Sequence, residues 1–315
     1  MAIDHCVLHD AATGSRATVL TGFGFNCYEF AAHVDGQQVD VLWAADGFAD
    51  GNQRPSGSGI PLLFPFPGRL RGTKFRWSGH EYQLEAGDGR GNAIHGFVMD
   101  RPWRVTEQTA AKVVGQFQAS VDDPALLAQW PADFRITATY ELRGNALRSA
   151  FLVENPDDKP LPCGLGTHPY FRLPLSGGDA GDCVVKLPVT KHWELVDMLP
   201  TGRCDDLADV DAYAGGMPFR ELHLDDVFAG LIFKSDRCSA EMDEPDSGIK
   251  VVIDFDSTFR ELVVYTPPHR EAICIEPYTC VPGSFDLKGS GEDYGVKLLA
   301  PGESFQAEVT MSVRS

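Results

Sequence analysis

From Phe134 to Arg143 the chain alternates strictly: Phe134, Ile136, Ala138, Tyr140 and Leu142 are apolar, and Arg135, Thr137, Thr139, Glu141 and Arg143 are polar. A period of two places every apolar side chain on one face of an extended strand, which no helix can do. Such a strand needs an antiparallel sheet with one face on a core. Gly144-Asn145 then leads into a second apolar run, Leu147 to Val153, and predicts a tight hairpin. The arrangement recurs at Tyr28 to Trp43 around Asp35-Gly36, and at Lys74 to Leu84 around Ser78-Gly79. Further strands are predicted over 102–107, 112–119, 183–187, 192–196, 230–234, 249–255, 261–266, 272–276 and 304–313. One short helix is predicted over 123–130, with Asp122 or Asp123 as cap, Pro124 in the first turn, and Leu126, Leu127 and Trp130 on one face.

Strands at this spacing, with so little helix, predict an all-β fold, a large antiparallel β-sandwich or barrel, and argue against βαβ units. No repeat, linker or low-complexity tract interrupts residues 1–315, so a single domain is expected. The 27 basic residues against 45 acidic ones give a net charge of −18, which disfavours nucleic acid and anionic membrane as partners and fits a small neutral molecule. The eight cysteines form no C-x-x-C pair and read as mostly buried thiols. The start, MAIDHCVLHD, lacks the basic and apolar regions of a signal peptide, and the apolar run Ile60 to Phe66 is short and broken by prolines. A cytoplasmic location is the expectation.

Familiar catalytic signatures are absent: there is no P-loop, no H-E-x-x-H and no G-x-S-x-G. GDGRGN at 87–92 and GLGTHP at 164–169 each lack the third glycine of a dinucleotide fingerprint and read as loops. His5 and His9 have no ligating company, and Asp205, Asp206, Asp209 and Asp211 read as a solvated acidic loop. Four segments differ, because each sets a titratable residue among turn residues or at a strand end, where sites tend to be built. They are Gly-Arg69-Leu-Arg71-Gly, Asn-Ala-Ile-His95-Gly-Phe, Gly-Thr-His168-Pro-Tyr-Phe and Ile-Cys-Ile-Glu276-Pro-Tyr. Glu276 ends a strongly apolar strand, and a carboxylate there has to be paired or used.

These segments, in this order, resemble the aldose 1-epimerase family, also called galactose mutarotases, from about residue 60 to the C-terminus. The resemblance adds Asp225 in Leu-Asp225-Asp226-Val-Phe228, with Asp226 adjacent to it. It implies a galactose mutarotase-like supersandwich with a sugar pocket on its concave face, no metal and no organic cofactor. It also implies the residue roles. Glu276 is the general base on the C1 hydroxyl and His168 the general acid at the ring oxygen, with His95 helping at that oxygen. Arg69 and Asp225 bind the remaining hydroxyls. A buried carboxyl with a raised pKa beside a protonated histidine would suit that division. Phe64, Phe66, Phe97, Tyr170, Phe228 and Tyr278 are candidates to stack on the sugar.

Two alternatives stand beside this reading. Arg69, Arg71, Lys74, Arg76, Arg90, Arg101 and Arg104 make residues 69–104 locally basic, which a hexose 6-phosphate mutarotase would use. A non-catalytic carbohydrate-binding protein of the same fold is the other. A homodimer is compatible with either reading.

Overall fold

A computed structural model describes residues 3–285, 287 and 294–315. The alternating segment forms strand Arg135–Arg143, paired to Ala146–Glu154 through the Gly144-Asn145 turn. The other two hairpins also form, closing on Asp35-Gly36 and Ser78-Gly79 with positive φ at all four positions, as two-residue turns require.

Two large sheets carry the molecule, and every ladder in them is antiparallel. The first has nine strands in the order 104–108, 112–118, 135–143, 146–154, 304–314, 249–256, 237–244, 184–186 and 217–218. The second has the order 199–206, 191–196, 225–229, 261–265, 272–278, 166–167 and 62–63, with 170–172 also on 272–278. A four-stranded sheet, 5–9, 16–20, 26–34 and 37–40, flanks them.

The two large sheets face each other across one core. Phe134, Ile136, Ala138 and Tyr140 from the first share it with Leu262, Val264, Ile273 and Ile275 from the second, and Phe64 meets Phe134 edge-on at 5.0 Å. Strand Ala272–Tyr278 is buried along its whole length. With period two, Ile273 and Ile275 point into this core, while Ala272, Cys274, Glu276 and Tyr278 point to the sheet's other face. That face carries the site.

Three local expectations need correction. Residues 123–130 form a 3₁₀ turn, Pro124–Ala128, after a single α turn, Ala119–Asp122. Trp130 is spent on the core, its indole donating to the Pro162 carbonyl, so the apolar face of the turn never had to belong to a longer helix. Residues 230–234 are not a strand: the ladder strands here are Asp225–Ala229 and Arg237–Glu244. Asp205 and Asp206 end strand Leu199–Asp206 rather than sitting in a loop. No disulfide joins the eight cysteines, and all but Cys204 are buried. Among the described residues no helix is long and apolar enough to cross a membrane.

Glu261 gives the fold a pH dependence. It is buried, and burial pushes its carboxyl up to about 7 although the Trp193 indole donates to it at 2.8 Å. A carboxyl raised in the folded state contributes stability in full below its unfolded value of about 4.5 and loses it as pH climbs through about 7. Glu261→Gln should therefore remove a pH-dependent loss of up to about 3 kcal/mol between pH 5 and 8. Urea unfolding of both proteins at the two pH values measures it; equal pH dependence in both would contradict the assignment.

Candidate active site

The chain builds each functional side chain into place from a different distance. Glu276 and Tyr278 lie two apart on one strand and one face, and the Tyr278 hydroxyl donates to Glu276 Oε2 at 2.7 Å. The Tyr278 ring lies over Gly166, its partner in register, where a Cβ would come within 2.7 Å of the ring. Glycine there is what admits the tyrosine. With Oε2 occupied, Oε1 makes no hydrogen bond and faces His168 Nε2 at 3.3 Å.

His168 is tied to the scaffold by its backbone, which donates to the Pro61 carbonyl, and its ring stacks on Tyr170 at 5.0 Å and 4°. Tyr170 is held in turn through its hydroxyl, which donates to the Ser56 carbonyl. His95 meets the His168 ring edge-on at 5.6 Å. His95 is itself in the left-handed region, φ 66°, and so is Gly96, φ 71°. A Cβ at Gly96 would sit 2.0 Å from the Phe64 carbonyl oxygen. Gly96 is thus a backbone requirement of the turn that carries His95 to the cavity.

Arg69 reaches the same cavity, with Nε 3.3 Å from Asp88 Oδ2. The GDGRGN loop presents that carboxylate. Asp88 also accepts from the backbone of Arg90 and Asn92 and from the Asn92 amide. Burial works against ionisation here, but these bonds and Arg69 hold Asp88 down to about 2. Strand Asp225–Ala229 settles which aspartate faces the cavity. Asp225 and Val227 line it, whereas Phe228, on the opposite face with Asp226, enters the core. The cavity walls raise the Asp225 carboxyl, while Arg69 pulls it the other way.

Arg69, His95, His168, Asp225 and Glu276, chosen on sequence, therefore surround one cavity of about 180 Å³, below the range of about 300–1,000 Å³ that drug-sized ligands occupy. Of the aromatic candidates, Tyr170 and Tyr278 line it, joined by Tyr265. Phe64, Phe66 and Phe228 are sealed in the core, and Phe97 packs on Trp130. Arg54 is also at the wall and carries no motif that could have marked it. Tyr278 holds Glu276 from two residues away on the same strand face, while Asp88 meets Arg69 across 19 residues from inside a glycine loop that spacing does not mark.

The electrostatics correct one expectation. Glu276 is 1% exposed, and burial drives its carboxyl far above the usual range against the pull of the Tyr278 hydroxyl. Burial likewise drives His168 down to about 3 and His95 well below its usual value. A histidine held protonated is therefore not what the protein favours: both partners are pushed toward neutrality, and the pair carries one proton, mainly on the carboxyl. Buried Oε1 of Glu276, Nδ1 of His168 and Nδ1 of His95 lack hydrogen-bond partners in the protein, as expected of groups aimed at a polar ligand.

The basic stretch 69–104 is largely neutralised. Lys74 and Arg76 pair with Glu81, Arg101 with Asp100 and Asp123, Arg104 with Asp122. Of its seven basic residues only Arg69 lines the cavity.

Comparison with known proteins gives a consistent likeness. The family model described as aldose 1-epimerase matches residues 26–312. A protein of Escherichia coli (strain K12), YihR, is 22% identical over 230 residues, covering 71% of each chain. A solved galactose mutarotase-like protein from Clostridium acetobutylicum superposes with a TM-score of 0.86 at 22% identity, covering 100% of this chain and 99% of that one. A structure titled galactose 1-epimerase, from Lactobacillus acidophilus NCFM, superposes with a TM-score of 0.74 at 18% identity, over 99% of both chains.

Proposed function

This chain belongs to the aldose 1-epimerase family, and from that premise we propose that it interconverts the α and β anomers of an aldose by acid–base opening and reclosure of the ring. One observation carries the reading: Glu276 Oε1 and His168 Nε2 stand 3.3 Å apart on the cavity wall. Anomerisation takes a proton from the C1 hydroxyl and gives one to the ring oxygen. Those two oxygens share one carbon, so the base and the acid have to stand side by side, and this pair does.

Glu276 removes the hydroxyl proton while His168 protonates the ring oxygen, the C1–O bond opens to an aldehyde, and C1 rotates before the ring closes on its other face. For Glu276 to act as base, the proton shared by the pair has to sit on His168. Burial disfavours that ion pair, and sugar oxygens hydrogen-bonded to both partners would stabilise it. His95 stands beside the acid. Arg69, fixed by Asp88, and Asp225 across the cavity would hold hydroxyls remote from C1 and fix the sugar's orientation.

A neutral aldose is the reading preferred here, because the carboxylates at Asp225 and Asp88 offset Arg69. A sugar with an anionic substituent is favoured by one observation: Arg54, at the cavity wall, has no carboxylate within ion-pairing distance among the described residues. Polarimetry of freshly dissolved α-anomers of glucose, galactose and glucose 6-phosphate tests both. Acceleration of the neutral sugars is expected. Acceleration of the phosphate alone would overturn the neutral reading, and Arg54→Gln should then raise its KM roughly 10- to 100-fold with kcat little changed.

A further inference from the structure

Cys274 has no part in the proposed chemistry, yet it lies beside the two residues that carry it. It precedes Glu276 by two on strand Ala272–Tyr278, so both side chains leave the sheet on the same face. In register it sits between Tyr170 on one neighbouring strand and Tyr265 on the other, both of them cavity residues. Its thiol, one His168 ring nitrogen and one Glu276 oxygen all lie within 4.8 Å of one another. All three residues are buried, at 0%, 7% and 1% exposure. His168 and Glu276 line the cavity, and the fully buried thiol lies beside them.

We propose that His168, Cys274 and Glu276 form a binding site for a soft divalent transition-metal ion, zinc above all, whose occupancy blocks the acid–base pair. The donor set of one thiolate, one imidazole and one carboxylate is of the type that holds zinc with its fourth position open, and two of the three donors, His168 and Glu276, line the cavity. Tetrahedral ligation at ordinary zinc distances puts ligand atoms roughly 3.5 Å apart. Nε2 and Oε1 already meet that at 3.3 Å, and the thiol has to close by about 1 Å. Oε1, which makes no hydrogen bond within the protein, gives up no partner to the ion.

Charge also balances. Binding one dication displaces the thiol proton and the proton shared by Glu276 and His168, so two protons leave and a neutral metal–thiolate–carboxylate–imidazole unit remains in the buried site. Magnesium and calcium, which call for six or more oxygen ligands or retained waters, do not fit a donor set with one carboxylate. The ion would occupy both groups that the reaction uses, so the inhibitory half of the proposal rests on the proposed function and the binding half does not.

The test is a titration of the purified full chain with cobalt(II), then zinc, alongside polarimetry. Expected are a thiolate-to-cobalt charge-transfer band at one ion per chain, its displacement by zinc, and loss of mutarotation in step with zinc binding. Cys274→Ser, of the same shape, should lose the band, bind zinc at least roughly tenfold more weakly and keep its basal rate without zinc. Cys274→Ala serves as a second variant, with circular dichroism to verify its fold. A band that survives in both variants, or none in the parent protein, overturns the site. Zinc inhibition equal in parent and variants overturns the blocking role. If the parent shows the cobalt band and loses it with Cys274 but turns over no aldose, the metal site stands and the proposed function falls.

Discussion

Glu276→Gln is expected to slow mutarotation by roughly 10²–10⁴-fold, the usual worth of one positioned proton transfer. Glutamine keeps the shape, and its carbonyl oxygen can still accept from the Tyr278 hydroxyl, the bond that fixes the side chain now. What it cannot do is take a proton from the C1 hydroxyl. Since the carboxyl is already driven toward its neutral form by burial, the amide adds no buried charge and the fold should tolerate it. Sugar binding through Arg69 and Asp225 should persist. The measurement pairs polarimetric rates on the preferred aldose with calorimetric binding of the same sugar. A variant as fast as the parent would remove Glu276 from the reaction; one that is slow but has also lost the sugar would make it a binding residue.

His168→Asn should cost a similar factor in kcat, and the pH profile makes the test specific. On the proposed roles the Glu276–His168 pair works only while it holds one proton. Acid adds a second proton, to His168, and burial moves that event down to about 3. Alkali removes the last proton, and burial moves that event well above the ordinary carboxylate range. The parent protein should therefore show a flat rate through pH 6.5, where a solvated histidine would bend the curve. Its acid limb should lie far lower, and its alkaline limb should follow loss of the carboxyl proton. In His168→Asn the limb tied to His168 should vanish, and the residual rate should rise only as the Glu276 carboxyl ionises, because that carboxyl then has no partner to take its proton. An inflection near pH 6.5 in the parent, or an unchanged profile in the variant, would count against His168 as the acid.

Much of the sheet was legible in the chain because its information is local. Strict alternation at 134–143 and the pairs Gly144-Asn145, Asp35-Gly36 and Ser78-Gly79 act within a few residues, and each hairpin closed where those residues put it. The run 123–130 misled for the opposite reason. Its apolar face is satisfied by distant partners, Trp130 reaching the Pro162 carbonyl and Phe66, so the local pattern imposed no regular helix.

The candidate site divides the same way. His95 and His168 stand in turns whose glycines mark them, and Glu276 stands out as a carboxylate in an apolar strand. Asp88 and Arg54 matter only through what lies next to them in space, and spacing along the chain holds no trace of that, whereas Tyr278 and Cys274 stand two residues either side of Glu276, so that alternation along the strand puts all three on one face. Asp225 was separated from Asp226 only once the strand's faces were known.

The 3.3 Å between Glu276 and His168 bears on something beyond rate. On the proposed roles, a proton taken by the carboxylate as the ring opens would be the one the carboxyl hands back as it closes, and the imidazole would recover what it lent to the ring oxygen. Each passage of a sugar would thus return the catalyst to its starting state with nothing exchanged with bulk water. On these roles turnover should be insensitive to buffer concentration, and a sugar should be able to leave as either anomer without waiting for the solvent to reset the site.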